Sequence, residues 1–354
     1  MRTSVSRREL LKSLTAGAFA VGAGAGSTIA SEMHTNKVIQ TGDAGFNQNR
    51  LKPEHSRVAL VKGNDRRGNM LKALEMIADD VKKGIGNKQV VIKTNFTRIA
   101  KKDWLASTHV DNIYALCELL STFYKGKIIV AEGTGPGTPL DTPLQNYGYL
   151  PLKEKYNVEF FDLRSDDHVM TYILNNQVQP IQLRTSKLLL NPNTYVVSAA
   201  ILKTHASAVV TLGLKNVVMA APHNGGKGDN DRQLMHSGSV PEDPRFFNFN
   251  LFQMACHVVP DLVAIDGFVG MEKNELFGDP VEAKVAIAST DWLAADRVGT
   301  EVMGYDFRRI GYLRYCTQAG MGEADLTKIE VAGDPIGNCI KPFAPPSTME
   351  KIAM

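Results

Sequence analysis

Residues 195–219 read YVVSAAILKTHASAVVTLGLKNVVM: an apolar run breaks into a polar cluster, and a helix-like stretch follows. The run Tyr195–Leu202 is small and β-rich, as a buried strand should be. It ends in Lys203-Thr204-His205, and residues two apart on a strand point to the same side, which puts Lys203 beside His205. A helix is expected from about Val209, carrying Thr211, Lys215 and Asn216. In open α/β sheets, ligands sit beyond the carboxyl ends of strands, where helix N-termini supply partial positive charge. Two lysines, a histidine and an asparagine gathered there describe a polar pocket that favours an anion.

Strand and helix patterns alternate around this segment. Strands are expected at Val58–Lys62, Gln89–Lys93, Lys127–Ala131 and Val158–Leu163, with short candidates at Val169–Leu174 and Val178–Leu183 suited to a hairpin. Helices are expected at Asn69–Lys83 and Val110–Tyr124. Further along come a helix at Phe249–Val258 and strands at Leu262–Asp266 and Val281–Ala288. The chain then reads helical over Asp291–Gly304 and Phe307–Ala319, with a last strand at Thr327–Val331. Such alternation implies βαβ crossovers and an α/β fold, a mostly parallel or mixed sheet flanked by helices, in one large domain or two lobes.

The N-terminus carries an address. Ser6-Arg7-Arg8-Glu9-Leu10-Leu11-Lys12, followed by the mild apolar stretch Leu14–Ala25, reads as a twin-arginine export signal with small residues at Thr28-Ile29-Ala30 for cleavage. The stretch is too short and too rich in Gly and Ala for a good membrane span. The expected division is a signal peptide over 1–30, a flexible leader over 31–56, the α/β domain over 57–335 and a C-terminal tail over 336–354. The expected location is the periplasm, reached folded through the twin-arginine translocation machinery, with no membrane attachment after cleavage. The formal charge of +3 belongs to this address, because Arg2, Arg7, Arg8 and Lys12 against Glu9 account for all of it. The remainder is formally neutral and has no nucleic-acid footprint. The four cysteines, Cys117, Cys256, Cys316 and Cys339, show no C-x-x-C spacing. Cys117 and Cys256 read as packed small hydrophobes, and a Cys316–Cys339 disulfide is a minority expectation.

Other strand ends are polar too. Lys93 and Asn95 share a face at the end of the Gln89 strand, and Glu132 follows the Lys127 strand into Gly133-Thr134-Gly135-Pro136-Gly137-Thr138. That loop is neither a Walker loop nor G-x-G-x-x-G and reads as a plain turn sooner than a nucleotide site. Thr108 and Asp291 precede helices as N-cap candidates. Asp266 closes the Leu262 strand, with Glu272 and Glu275 beyond it. The polar segment from Ala221 to Arg245, with His223, Asp229, Asp231 and His236, is long enough to be a lid.

Three readings follow. An enzyme acting on a small carboxylate or phosphate would use Lys203, Lys215 and Lys93 for the charge, and Asn95, Glu132 and Asn216 around it. His205 would then be the acid–base group, with Asp266 or Glu132 orienting it. Alternatively His205, His236, Asp266 and Glu272, with His109 as a further candidate, would ligate a divalent metal in a metal-binding or redox-associated periplasmic protein. The third reading is a non-catalytic binding or assembly protein.

The block LKTH followed by VTLGLKN, with Ile92-Lys93-Thr94-Asn95, Ser107-Thr108-His109, Asp266-Gly267, Met271-Glu272, Thr290-Asp291 and Ala295-Asp296, resembles the domain-of-unknown-function family 362. The resemblance runs from about Val58 to Gly333. Thr94 and Val110 stand where such sequences usually have proline, and Glu132 where aspartate is common. The family has no settled activity, so the resemblance implies a fold and a site more readily than a reaction. Some members carry ferredoxin-like cysteine clusters. This chain has no iron-sulfur cluster motif.

Overall fold

The computed structural model describes residues 55–347 and Met349, apart from 98, 135–137, 227 and 237–242. The export signal and nearly all of the expected leader lie outside the described residues. Fourteen strands are described: β1 (Ser56–Lys62), β2 (Gln89–Lys93), β3 (Ile128–Glu132), β4 (Val158–Asp162), β5 (His168–Leu174), β6 (Pro180–Ser186), β7 (Thr194–His205), β8 (Val209–Thr211), β9 (Asn224–Gly226), β10 (Asp229–Asn230), β11 (Leu262–Glu272), β12 (Asp279–Val281), β13 (Val285–Ser289) and β14 (Ile329–Gly333). Ten of them form one sheet with the order β14-β1-β13-β11-β7-β2-β3-β4, β12 pairing with β11 and β8 with β7.

Five consecutive strands, β11, β7, β2, β3 and the edge strand β4, run parallel, and β13 enters antiparallel between β11 and β1. The fold is therefore α/β with a mostly parallel, mixed sheet, and among the described residues this single sheet spans both halves of the chain. Every residue of β7 is buried, which its uninterrupted apolar sequence demands of a strand covered on both faces. Val90, Ile92, Val197, Ala199, Leu262 and Ala264 pack against the helices Arg66–Glu75 and Val110–Phe123. Residues of opposite parity meet the other layer: Ser198 Oγ donates to Gly213 O at 2.8 Å.

Several boundaries differ from the sequence expectation. The strand does not stop with its apolar run at Leu202: β7 continues through His205, so the polar cluster is part of the sheet. The stretch from Val209 is first a strand, hairpinned on β7, and only then a short helix, Gly213–Val218. β-branched Val210 and Thr211 favour extended backbone there, whereas Val209 closes the tight turn with a positive φ of 69°, a strained conformation for a β-branched residue. Asp266 is not a strand end, because β11 runs to Glu272. Its register against β7 slips between Asp266, opposite Ile201, and Met271, opposite Lys203. The expected β5–β6 hairpin is present as a separate two-stranded sheet. Cys316 and Cys339 are both free thiols, so the minority reading of a disulfide between them does not hold.

Candidate functional site

Polar side chains converge where β2, β3 and β7 end. Lys93, the last residue of β2, donates from Nζ to Glu132 Oε2 at 2.9 Å, to Asn216 Oδ1 at 3.4 Å and to Thr94 O. Glu132, the last residue of β3, also accepts from Phe96 N at 2.9 Å and, through its other oxygen, from Gly133 N at 2.9 Å. Asn216 reaches across from its helix, donating to Lys93 O at 3.2 Å and Ser198 Oγ at 3.1 Å, and accepting from Asn95 Nδ2 at 3.1 Å. Thr97 donates to Asn95 Oδ1 and accepts from Lys203 Nζ at 3.0 Å. One hydrogen-bonded chain thus links Glu132, Lys93, Asn216, Asn95, Thr97 and Lys203.

The lysines are not solvated. Lys93, Lys203 and Lys215 are 3%, 1% and 6% exposed. Burial lowers the pKa of Lys93, against the opposing pull of Glu132. Burial and then the Lys215 charge bring Lys203 down to about 7. Lys215 Nζ lies 3.4 Å from Thr211 Oγ1 and 5.7 Å from the centre of the Phe247 ring. The helix that carries Lys215 and Asn216 is held by Asp296, whose carboxylate accepts from Gly213 N at 2.7 Å and Leu214 N at 3.1 Å. Glycine is required at 213, since a Cβ there would come within 2.5 Å of Val263.

His205 is fixed by its own turn. Nδ1 accepts from Ser207 N at 3.0 Å and Ala208 N at 3.3 Å, so the ring hydrogen is on Nε2, which lies 4.0 Å from Glu275 Oε1. Burial, followed by Lys215 and Lys203, pushes its pKa well below the usual histidine value. An imidazole held this way is a neutral N–H donor. His205 and His236 both stack on Phe247, with centroids 5.7 and 4.4 Å away, so the segment Asp231–His236 and the helix Pro244–Ala255 cover the site.

Asp266 is not part of this cluster. Its carboxylate lies 3.4 Å from Arg66 Nε, within ion-pair reach but not aligned as a hydrogen bond, and accepts from Phe268 N at 2.9 Å. Glu272 accepts from Ala344 N at 2.6 Å, tying down the C-terminal segment. His109 caps its helix by accepting from Asp111 N, while Thr108 instead ties Asn95 N to Ala199 O. Of the four residues of the metal reading, His205 and His236 share Phe247 while Asp266 and Glu272 are engaged elsewhere, and among the described residues no three His, Cys, Asp or Glu side chains are placed to hold a metal ion. In the glycine loop, Gly133 N is taken by Glu132 and Thr134 Oγ1 by Thr138 O. Ser198, Thr97 and Phe247 were not anticipated. Only Ser198 left a signal, as the one serine in an apolar run.

The family model for the domain of unknown function (DUF362) matches residues 90–301, which include the whole cluster. The chain belongs to this family. The DUF362 match omits β1 and β14, which nonetheless complete the sheet. A thylakoid-associated protein of Synechocystis sp. is 25% identical over 245 residues, 68% of this chain and 71% of that one. Among solved structures, the lactate racemase apoprotein from Thermoanaerobacterium thermosaccharolyticum aligns with a TM-score of 0.44 at 14% identity, over 72% of this chain and 58% of that chain. A protein from Thermotoga maritima aligns at 0.38 and 13%, over 71% and 58%.

Proposed function

We propose that this DUF362 protein is an exported enzyme that binds a small carboxylate or phosphate at the joined ends of β2, β3 and β7. The observation that carries the reading is the burial of Lys93 and Lys203 in one hydrogen-bonded network in which the Glu132 carboxylate bonds to Lys93 and not to Lys203, with the buried Lys215 acting on Lys203 with like charge. Buried positive charge is costly unless an anion answers it. A bound anion would be that answer. Lys215 and Lys203 would meet the negative charge, Asn95 and Asn216 would orient the ligand, and neutral His205 would donate its Nε2 hydrogen to a substrate oxygen. This assigns His205 the part of a polarising donor, in place of the acid–base part expected from its residue type. Lys203 is the group whose charge changes: an arriving anion raises its pKa, so binding takes up a proton near neutral pH.

Lys215→Ala should weaken binding of phosphate or oxalate by about ten- to a hundredfold, since one charge-assisted hydrogen bond contributes about 1.5–3 kcal/mol. Calorimetry in buffers of different ionisation enthalpy reads both the affinity and the proton uptake. Unchanged affinity with no proton uptake would sink the proposal. Export rests on the sequence of residues 6–30, and Arg7→Lys with Arg8→Lys should retain the precursor in the cytoplasm. Unimpaired appearance of the double mutant in the periplasm would remove that part.

A further inference from the structure

We infer that Lys203 is a nucleophilic amine that condenses with the carbonyl carbon of a small oxo acid held in this site. The inference deepens the proposed anion site by naming the class of its ligand, and it rests on that reading.

An ammonium has three N–H donors and no lone pair, whereas a neutral amine has two and one lone pair. Lys93 Nζ has three acceptors, one of them the Glu132 carboxylate, as an ammonium requires. Lys203 Nζ has two, Ala106 O at 2.8 Å and Thr97 Oγ1 at 3.0 Å, and both are neutral. The Thr97 hydroxyl hydrogen is directed to Asn95 Oδ1, so Thr97 can only accept from Lys203. The described contacts therefore satisfy a neutral amine at Lys203 and leave its lone pair over.

The surroundings favour the same state. Lys215 presses most strongly on Lys203 with like charge, Glu275 and Glu132 oppose it, and Lys93 adds a weaker like-charge push. Burial is the largest influence, and the resulting pKa of about 7 makes a substantial neutral fraction available near neutrality. The amine is also close to solvent: Thr97, which bonds to it directly, is exposed. A small molecule displacing the Thr97 side chain would meet the nitrogen. Its carboxylate would face Lys215 and its carbonyl oxygen the Nε2 hydrogen of His205.

The step needs no oxidant, reductant or metal. The Lys203 lone pair adds to the carbonyl carbon, the C=O π pair moves to oxygen and is protonated, and loss of water from the carbinolamine leaves a C=N bond. One amine and one carbonyl become one imine and one water. The positive charge of the protonated imine would sit where the free amine is disfavoured as a cation, so the ligand's own carboxylate is needed beside it.

Incubation of the folded, purified protein with glyoxylate and cyanoborohydride near pH 7.5, followed by peptide mapping, tests this. Reductive alkylation of Lys203 should exceed that of exposed lysines such as Lys127 and Lys328 by about tenfold or more, because a lowered pKa supplies neutral amine. Its rate should rise with a midpoint near 7, and oxalate, which has an anion's charge but no reactive carbonyl, should protect it. Lys203→Arg should abolish that label and leave the labelling of Lys127 unchanged. Alkylation spread over exposed lysines with none at Lys203 overturns the imine. If oxalate still binds in a Lys215-dependent way in that case, the anion site stands without it; if oxalate does not bind, both readings fall. Should Lys203→Arg fail to fold, the pH midpoint and oxalate protection of the parent decide alone.

Discussion

The cationic strand end and the acidic start of the helix Trp292–Val302 both take ionisable groups out of water, and they differ in how fully those groups are matched. Asp291 is 2% exposed, and its two oxygens accept from Leu293 N, Ala294 N, Glu323 N and Ser56 Oγ at 2.5–3.1 Å. Nothing of its acceptor capacity is left for a ligand. It caps the helix and joins β1 to the segment around Glu323, which is architecture. Lys203 is 1% exposed and meets two neutral acceptors beneath an exposed threonine. Burial alone does not separate the two sites. The count of partners against donors and acceptors does, and it marks the lysine end as the place where a further group can bind.

The largest effect should come from breaking the pair that anchors the cationic end. Glu132→Ala leaves Lys93 buried without its carboxylate and should destabilise the protein by about 3–5 kcal/mol in urea titrations. The double variant Lys93→Met with Glu132→Leu should recover most of that loss, since no charge is stranded. If the double variant is as unstable as the single one, the loss is packing and the electrostatic account of this end is wrong. Asp291→Ala should cost less, about 2–4 kcal/mol, by removing an N-cap and stranding Glu323 N. It should leave phosphate or oxalate affinity unchanged. A fall in affinity as large as that of Lys215→Ala would erase the contrast between the two regions.

The contrast also explains what could be read from the chain alone. Strand β2 matches its expected boundaries at both ends, and β3 and the helix Val110–Phe123 match within a residue, because each is an apolar run bounded by residues that punctuate it. Lys93, Asn95, Glu132, Lys203, Lys215 and Asn216 were also legible, as polar residues closing buried strands or following them. What failed was the assumption that a strand ends where its apolar run ends. β7 carries Lys203 and His205 inside the sheet, where β8 supplies their backbone partners, and β11 passes through Asp266 without stopping. Asp266 was therefore expected at the site, and the structure gives it to Arg66. Thr97 and Phe247 lie on a loop and a helix whose approach to β7 depends on long-range packing, for which a local pattern carries no signal. The tautomer of His205 likewise follows from two amide hydrogens in its own turn.

The smallest predicted effect has the opposite sign, and it tests the same contrast. A matched buried group should be harmful to remove, whereas an undermatched one should be neutral or beneficial. Lys203→Met keeps the stem, which is buried, and removes the amine, so it should stabilise the protein, by about 1–2 kcal/mol at pH 6. Linkage gives the pH dependence. The folded-state pKa is about 7 and the free-chain value 10.5, so the unfolded chain holds one more proton than the folded one between them. Stability of the parent should therefore rise with pH through that window, and the penalty is fully present below about 7. The advantage of Lys203→Met over the parent should shrink steadily from pH 7 towards 10, as read from paired thermal or urea unfolding curves. Asp291→Ala, compared with the parent in the same way, should show no such rise over pH 7 to 10. A Lys203→Met variant that is less stable than the parent at every pH would mean that Ala106 and Thr97 satisfy an ammonium after all, and Lys203 would then join Asp291 as part of the scaffold.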